Sequence, residues 1–271
     1  HGLPSEEEQF QAYRFIAESV APKSVIVRTL DLGSDKMPAN VSHEPNPALG
    51  LRGIRFCLNR PEMFKVQLRA ILRASMAGNL RIMFPMISGL KELRHAKALF
   101  EESQQDLIRE GIPFDRSVSV GMMIEVPSAA LMAHDLAREV DFFSIGTNDL
   151  IQYTIAVDRG NANVASLYDP CHPAILRFIA SIIEAGHKND IWVGVCGAMA
   201  AHPTAACILL GLGLDELSMS PIDIPEIKRI IRSTNYVDLQ AIAQHVLTLP
   251  TSDEITRYMK AHLPTAGKDL L

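Results

Sequence analysis

Aromatic side chains are scarce. Phe, Trp and Tyr make up 6% of the 271 residues, too few for a platform on which nucleic-acid bases would stack. A basic excess is also missing: the formal net charge is −5, which argues against a nucleic-acid binder. No apolar run is long enough to span a bilayer. The longest, Ala205 to Leu214, is broken by Gly211 and Gly213 and falls far short of the ~20 residues a span requires. The opening HGLPSEEEQF has neither the basic nor the apolar stretch of a secretion signal. The four cysteines (Cys57, Cys171, Cys196 and Cys207) show no CxxC spacing, which excludes a zinc ribbon and a dense disulfide framework. Unpaired thiols with eleven methionines suit a reducing cytoplasm. A glycine-rich phosphate cradle is absent too. The turn after the first strand, Asp31-Leu32-Gly33-Ser34-Asp35-Lys36, does not match the GxGxxG of dinucleotide binders.

What is present is a folded α/β pattern. Hydrophobic residues make up 48% and charged residues 21%, and a chain of this length buries about 70–75% of its unfolded surface. Short apolar runs predict strands over Ser24–Leu30, Gly50–Cys57, Leu80–Ile87, Val120–Val126, Asp141–Gly146, Ile191–Cys196 and Glu216–Ser220. Helical periodicity is read between them, over Ser5–Val20, Pro61–Met76, Lys91–Glu110, Pro127–Glu139, Leu150–Val157, Pro173–His187 and Pro203–Leu212. Three more helices follow, near Ile224–Ser233, Val237–Leu247 and Ser252–His262. Ser5 with Glu8, and Thr251 with Glu254, have capping-box spacing. Phe10, Tyr13, Ala17 and Val20 should share the buried face of the first helix. Near-continuous apolar strands alternating with helices imply a parallel sheet covered on both faces. Of the two such architectures, a closed (β/α)8 TIM-type barrel is preferred over an open doubly wound sheet, because the dinucleotide fingerprint is lacking. Residues 1–271 are read as one domain, with seven strands where a barrel has eight.

In a barrel the chemistry sits at the C-terminal ends of the strands. Glu125 and Asp149 close two apolar strands. Carboxylates brought close together repel unless a cation or a proton intervenes, and Mg²⁺ uses one or two carboxylates with water and substrate oxygens. The other reading pairs each with an arginine. Arg28 and Arg52 lie within apolar strand-like runs, and Arg159 lies in a glycine-containing turn. Guanidinium groups grip phosphate and carboxylate in two-pronged fashion, so three of them beside a divalent cation suit a small, highly anionic substrate. Arg55, Arg60, Arg69 and Arg73 are read as surface or ion-pairing residues. Cys196 ends a strand, and a thiol with an ordinary pKa near 8.5 is mostly protonated at neutral pH and able to donate. The alternative for Cys196 is a small buried hydrophobe, the reading given to Cys57, Cys171 and Cys207. His134 and His172 are read as structural or exposed.

These segments also carry a family resemblance. SVIVRTLDLGSDK (24–36), NPALGLRGIR (46–55), LRAILRAS (68–75), LRIMFPMI (80–87), GMMIEVPSA (121–129), EVDFFSIGTNDLIQYTIAVDRGN (139–161), VGVCGAMA (193–200) and GLDELSMSPIDIPEIKRIIR (213–232) resemble the C-terminal PEP-binding domain of Enzyme I of the bacterial phosphoenolpyruvate:sugar phosphotransferase system. The wider group includes pyruvate phosphate dikinase and PEP synthase. The resemblance implies a PEP-utilising barrel, phosphoenolpyruvate (PEP) as phosphoryl donor with pyruvate released, Mg²⁺ dependence and a homodimer. By position it implies that Glu125 and Asp149 hold the metal. Arg28, Arg52, Arg159, Asn148 and Lys36 would bind substrate, Asn148 through its backbone, and Cys196 would protonate the enolate carbon. It further implies that a first barrel strand precedes Ser5 in the family, and that the phosphohistidine and carrier-binding domains, partners of this one along with the small phosphocarrier protein, lie outside these residues. A dikinase or synthase fragment, or a non-catalytic PEP-sensing dimerisation module, are the alternatives. The chain departs from the family pattern at Ser34, where glycine is usual, and at Ala198, where the family has glutamate after Cys-Gly.

Overall fold

A computed structural model describes residues 4–32 and 44–263. The chain divides into two compact units, His1–Met123 and Ile124–Leu271. Six strands occur among the described residues.

The first unit opens with helix α1 (Glu6–Val20). Its start is fixed by the capping box: the Ser5 hydroxyl accepts from the Glu8 N–H at 3.3 Å, and the Glu8 carboxylate accepts from the Ser5 N–H at 2.8 Å. Both exchanges satisfy N–H groups that a helix start leaves without partners. Strand β1 (Val25–Arg28) follows, then α2 (Gly53–Leu58), α3 (Pro61–Ala74), β2 (Leu80–Phe84), α4 (Leu90–Arg109) and β3 (Ser119–Ile124). β1, β2 and β3 pair in parallel, with Arg28 opposite Met83 and Phe84 opposite Met122. Ala17, Ala74 and Leu80 form a small core over which Phe10, Tyr13 and Val25 pack. Val20 was expected on that face but is 40% exposed, because the helix ends there and the chain turns away at Ala21. Ion pairs tie α1 to α3: Arg69 and Arg73 each reach Glu6 at 2.7 Å. The ion-pairing role expected of these two arginines therefore holds.

One expected strand is not a strand. Gly50–Cys57 forms a bend followed by α2. The apolar spacing of Leu51, Ile54 and Phe56 fits a short strand and a short helix alike. Gly53 decides between them, since its φ of +55° belongs to the left-handed region and breaks an extended run.

In the second unit, α5 (Pro127–Leu131) and α6 (Ala133–Leu136) precede β4 (Phe142–Gly146) and α7 (Thr147–Ile155). Then come α8 (Pro173–His187), β5 (Trp192–Cys196), α9 (Pro203–Gly211), β6 (Glu216–Ser218), α10 (Ile224–Ser233), α11 (Tyr236–Val246) and α12 (Ser252–His262). β4, β5 and β6 are parallel, and Gly146, Cys196 and Ser218 lie side by side in register. β4 is buried along its whole length, as expected of a strand covered on both faces. Phe142 stacks on Trp192 with ring centroids 4.6 Å apart, which locks that register at the N-terminal end. The Thr251 hydroxyl accepts from the Glu254 N–H at 3.3 Å and caps α12. No helix among the described residues is long and apolar enough to cross a membrane.

Candidate active site

In the first unit the site residues gather where β1 ends. Arg28 is the last residue of β1, and Asp31 follows three residues on with its side chain only 5% exposed. Arg52 is not on a strand, as the sequence pattern suggested, but at the N-cap of α2. From there its Nη2 donates to both Asp31 carboxylate oxygens at 3.1 Å, and its Nε donates to Oδ1 at 3.3 Å. The Arg28 Nη1 stands 3.6 Å from the same carboxylate. Two guanidinium groups on one carboxylate leave a formal excess of one positive charge. Arg52, mostly buried and held on both Asp31 oxygens, is oriented before any anion arrives, so less of its rotamer entropy is lost on binding; Arg28 is more exposed. In the sequence Asp31 stands out only as the start of the turn after the first strand. The logic that singled out Glu125 and Asp149, an acid just after an apolar strand, would have found it. Lys36 lies outside the described residues.

The second unit holds the acid pair. Glu125 directly follows β3 and is 1% exposed, and Asp149 is 7% exposed. Asp149 lies in the first turn of α7 rather than on β4 itself, where the helix dipole favours a negative charge. The two carboxylates each place an oxygen within 4.8 Å of the other. At an effective dielectric constant of about 20, two unit charges at that separation repel by about 3.5 kcal/mol. Hard oxygen donors, buried and this close, fit a divalent cation such as Mg²⁺.

Cys196, the last residue of β5, is partly exposed. Its Sγ accepts from the Ser144 hydroxyl at 3.5 Å and donates to the Ile145 carbonyl at 3.6 Å. Its own carbonyl accepts from the Thr147 hydroxyl at 3.0 Å. The next residue, Gly197, has φ +104°. A Cβ there would sit 2.7 Å from Thr147 Oγ1 and 3.0 Å from Asn148 Oδ1, so glycine is required for both conformation and space. The Ala198 N–H then donates to Asn148 Oδ1 at 3.1 Å. Asn148 was expected to act through its backbone, yet its side chain also holds this turn. Arg159 is exposed on the turn after α7, and its N–H donates to Gln152 Oε1 at 3.2 Å. Tyr168 places its hydroxyl 3.5 Å from Asn148 Oδ1. Burial raises the Tyr168 phenol above its ordinary pKa; the Arg159 guanidinium opposes this and the Asp149 carboxylate adds to it.

The remaining cysteines behave as core residues. Burial pushes Cys57 and Cys171 up to about 12 and Cys207 up to about 11, with Asp31 and Asp169 adding to the first two. His172 caps α8 by accepting the Ala174 N–H at 3.2 Å, and His134 is exposed; both match the structural reading. Four residues of these clusters were not singled out from the sequence: Asp31, Ser144, Thr147 and Tyr168.

Parallel strands with a basic fork after one strand in the first unit, and an acid pair and a thiol beside strand ends in the second, define an α/β protein with its charged groups gathered near strand ends. The chain belongs to the family described as "PEP-utilising enzyme, PEP-binding domain", whose model matches residues 1–236. Proteins named phosphoenolpyruvate-protein phosphotransferase are close relatives. That of Buchnera aphidicola subsp. Baizongia pistaciae is 48% identical over 98% of this chain and 47% of its own length. That of Geobacillus stearothermophilus is 51% identical over 95% of this chain and 45% of its own. That of Bacillus subtilis is 49% identical over 95% and 46% respectively. The chain thus spans slightly under half the length of the curated relatives it matches.

Proposed function

We propose that these residues form the PEP-binding catalytic part of a phosphoenolpyruvate-protein phosphotransferase. The observation that carries the reading is identity of about half over nearly the whole chain to relatives of that name. The buried Glu125–Asp149 pair supports it. In this reading residues 1–271 belong to one domain of the (β/α)8 barrel type, and the protein is cytoplasmic and homodimeric. The phosphorylated group is a histidine on another domain of the same parent protein, which passes phosphate to a small carrier for sugar transport.

The chemistry asks for charge neutralisation and alignment more than for covalent help. Arg28 and Arg52, with Arg159 and Lys36, bind the phosphate and carboxylate of PEP, and Asn148 orients it. Glu125 and Asp149 would hold Mg²⁺, which when bound neutralises phosphate and enolate oxygens. The enol oxygen–phosphorus bond breaks as a phosphorus–nitrogen bond forms to the acceptor imidazole. The enolate left behind takes the Cys196 thiol proton at its methylene carbon and becomes pyruvate, and solvent restores the thiol. The Ser144 and Ile145 contacts of Sγ keep that proton in a defined place.

The test supplies the chain, PEP and Mg²⁺ to a separately made phosphohistidine domain. Phosphate appearing on the histidine, with pyruvate in equal amount, is expected. PEP binding without any transfer would favour the sensing module instead. The relatives' names do not favour a dikinase or synthase fragment.

A further inference from the structure

The contacts of the second unit point to a residue that the pattern of strand ends does not reveal. Tyr168 is on the loop between α7 and α8, 20 residues from Asn148 in sequence. It is nonetheless close to Asn148 and within electrostatic range of Asp149 and Arg159. We propose that Tyr168 is a positioning residue: its hydroxyl holds the Asn148 side-chain amide, and through it the Gly197–Ala198 turn that carries Cys196.

The chain of contacts is continuous. The Tyr168 hydroxyl and the Ala198 N–H converge on the same Asn148 oxygen, at 3.5 Å and 3.1 Å. Two donors on Oδ1 set which way the amide faces and leave its NH₂ group to act as a donor. Behind that turn the Thr147 hydroxyl holds the Cys196 carbonyl at 3.0 Å, and Gly197 leaves no room for a side chain between them. The turn that follows the thiol is therefore fixed from two adjacent residues of α7, and Tyr168 braces one of them. At 3.5 Å the phenol oxygen stands beyond the ~2.5–3.0 Å of an ordinary O–H···O hydrogen bond, and a shift of about half an ångström closes the contact. Tyr168 is half-buried, so its hydroxyl is partly shielded from competing water, which raises the worth of the contact. The inference rests on the proposed function for the roles of Asn148 and Cys196, but the contacts themselves do not.

The test uses Cys196 as its own reporter, because the other three thiols are buried. Its iodoacetamide labelling rate is measured in the unaltered chain, Tyr168→Phe, Asn148→Ala and the double variant. Loss of one neutral hydrogen bond should change the rate by about two- to tenfold in Tyr168→Phe, and Asn148→Ala, which removes two contacts, should change it at least as much. The double variant should match Asn148→Ala alone, because Tyr168 acts through Asn148. An unchanged rate in Tyr168→Phe, or effects that multiply in the double variant, would overturn the proposal. A second readout does not depend on the phenylalanine variant folding. In chain labelled with 3-fluorotyrosine, the Tyr168 ¹⁹F resonance should shift in Asn148→Ala; a resonance that stays in place overturns the proposal as well. PEP titration in Mg²⁺ separates this inference from the proposed function. Absence of PEP binding by the unaltered chain overturns the function alone, and the labelling cycle still decides Tyr168.

Discussion

Replacing Glu125 by glutamine removes one of two buried negative charges whose oxygens approach within 4.8 Å. At that separation the repulsion is about 3.5 kcal/mol at an effective dielectric constant near 20. Solvent and neighbouring dipoles offset part of such a repulsion in folded proteins, so about 1–2 kcal/mol should be regained when one charge is lost. For a chain of this size that corresponds to a rise in Tm of about 2–6 °C. Mg²⁺ should have the opposite selectivity. The unaltered chain should gain thermal stability as Mg²⁺ is added, because the cation binds only the folded pair, whereas Glu125→Gln should gain little. The difference in Tm should therefore depend on the metal: the variant is the more stable in EDTA, and its lead shrinks or reverses in millimolar Mg²⁺. Differential scanning calorimetry under both conditions measures this directly. A variant that melts lower in EDTA, together with an unaltered chain indifferent to Mg²⁺, would refute the reasoning.

Other outcomes follow from particular side chains. The Thr29 hydroxyl is buried and has no hydrogen-bond partner among the described residues, so Thr29→Val should stabilise the chain by about 1 kcal/mol in urea unfolding; a loss of that size would count against this reading. Cys57, Cys171 and Cys207 hold their protons to about 12, 12 and 11 when folded, against about 8.5 when unfolded. Their contribution is fully present below pH ~8.5 and is lost as pH rises toward the folded values. Cys207→Ala should flatten the alkaline fall in stability by up to about 1.4 kcal/mol per pH unit, and parallel profiles for both proteins would contradict this. In the complete protein, Cys196→Ala should retain PEP affinity while pyruvate formation falls by about 10²-fold or more; steady-state turnover at the normal rate would remove the thiol from the reaction.

Much of the fold was legible because local signals agreed with the packing. The Ser5–Glu8 capping box starts α1 where the spacing places it, and the apolar runs around Ile82, Ile124, Ile145 and Val195 are strands. Gly50–Cys57 was misread because a run of eight residues is too short for periodicity to separate strand from helix. The positive φ of Gly53, which settles it, leaves no trace in a hydrophobic pattern. At the site, Glu125 and Asp149 were visible as acids placed where apolar strands end. Arg28 and Arg52 were visible as costly charges among apolar neighbours, though Arg52 acts from a helix start. Tyr168 and Ser144 were not visible. A hydroxyl inside a strand and a tyrosine on a loop are ordinary in sequence, and only the tertiary fold brings them to Cys196 and Asn148.

Calorimetric titration of PEP into this chain, with Mg²⁺ and with EDTA, tests the central claim most directly. The account predicts saturable binding of one PEP per chain that depends on Mg²⁺ and is lost in Glu125→Gln. Binding of equal strength in EDTA, or by the Glu125→Gln variant, would contradict it.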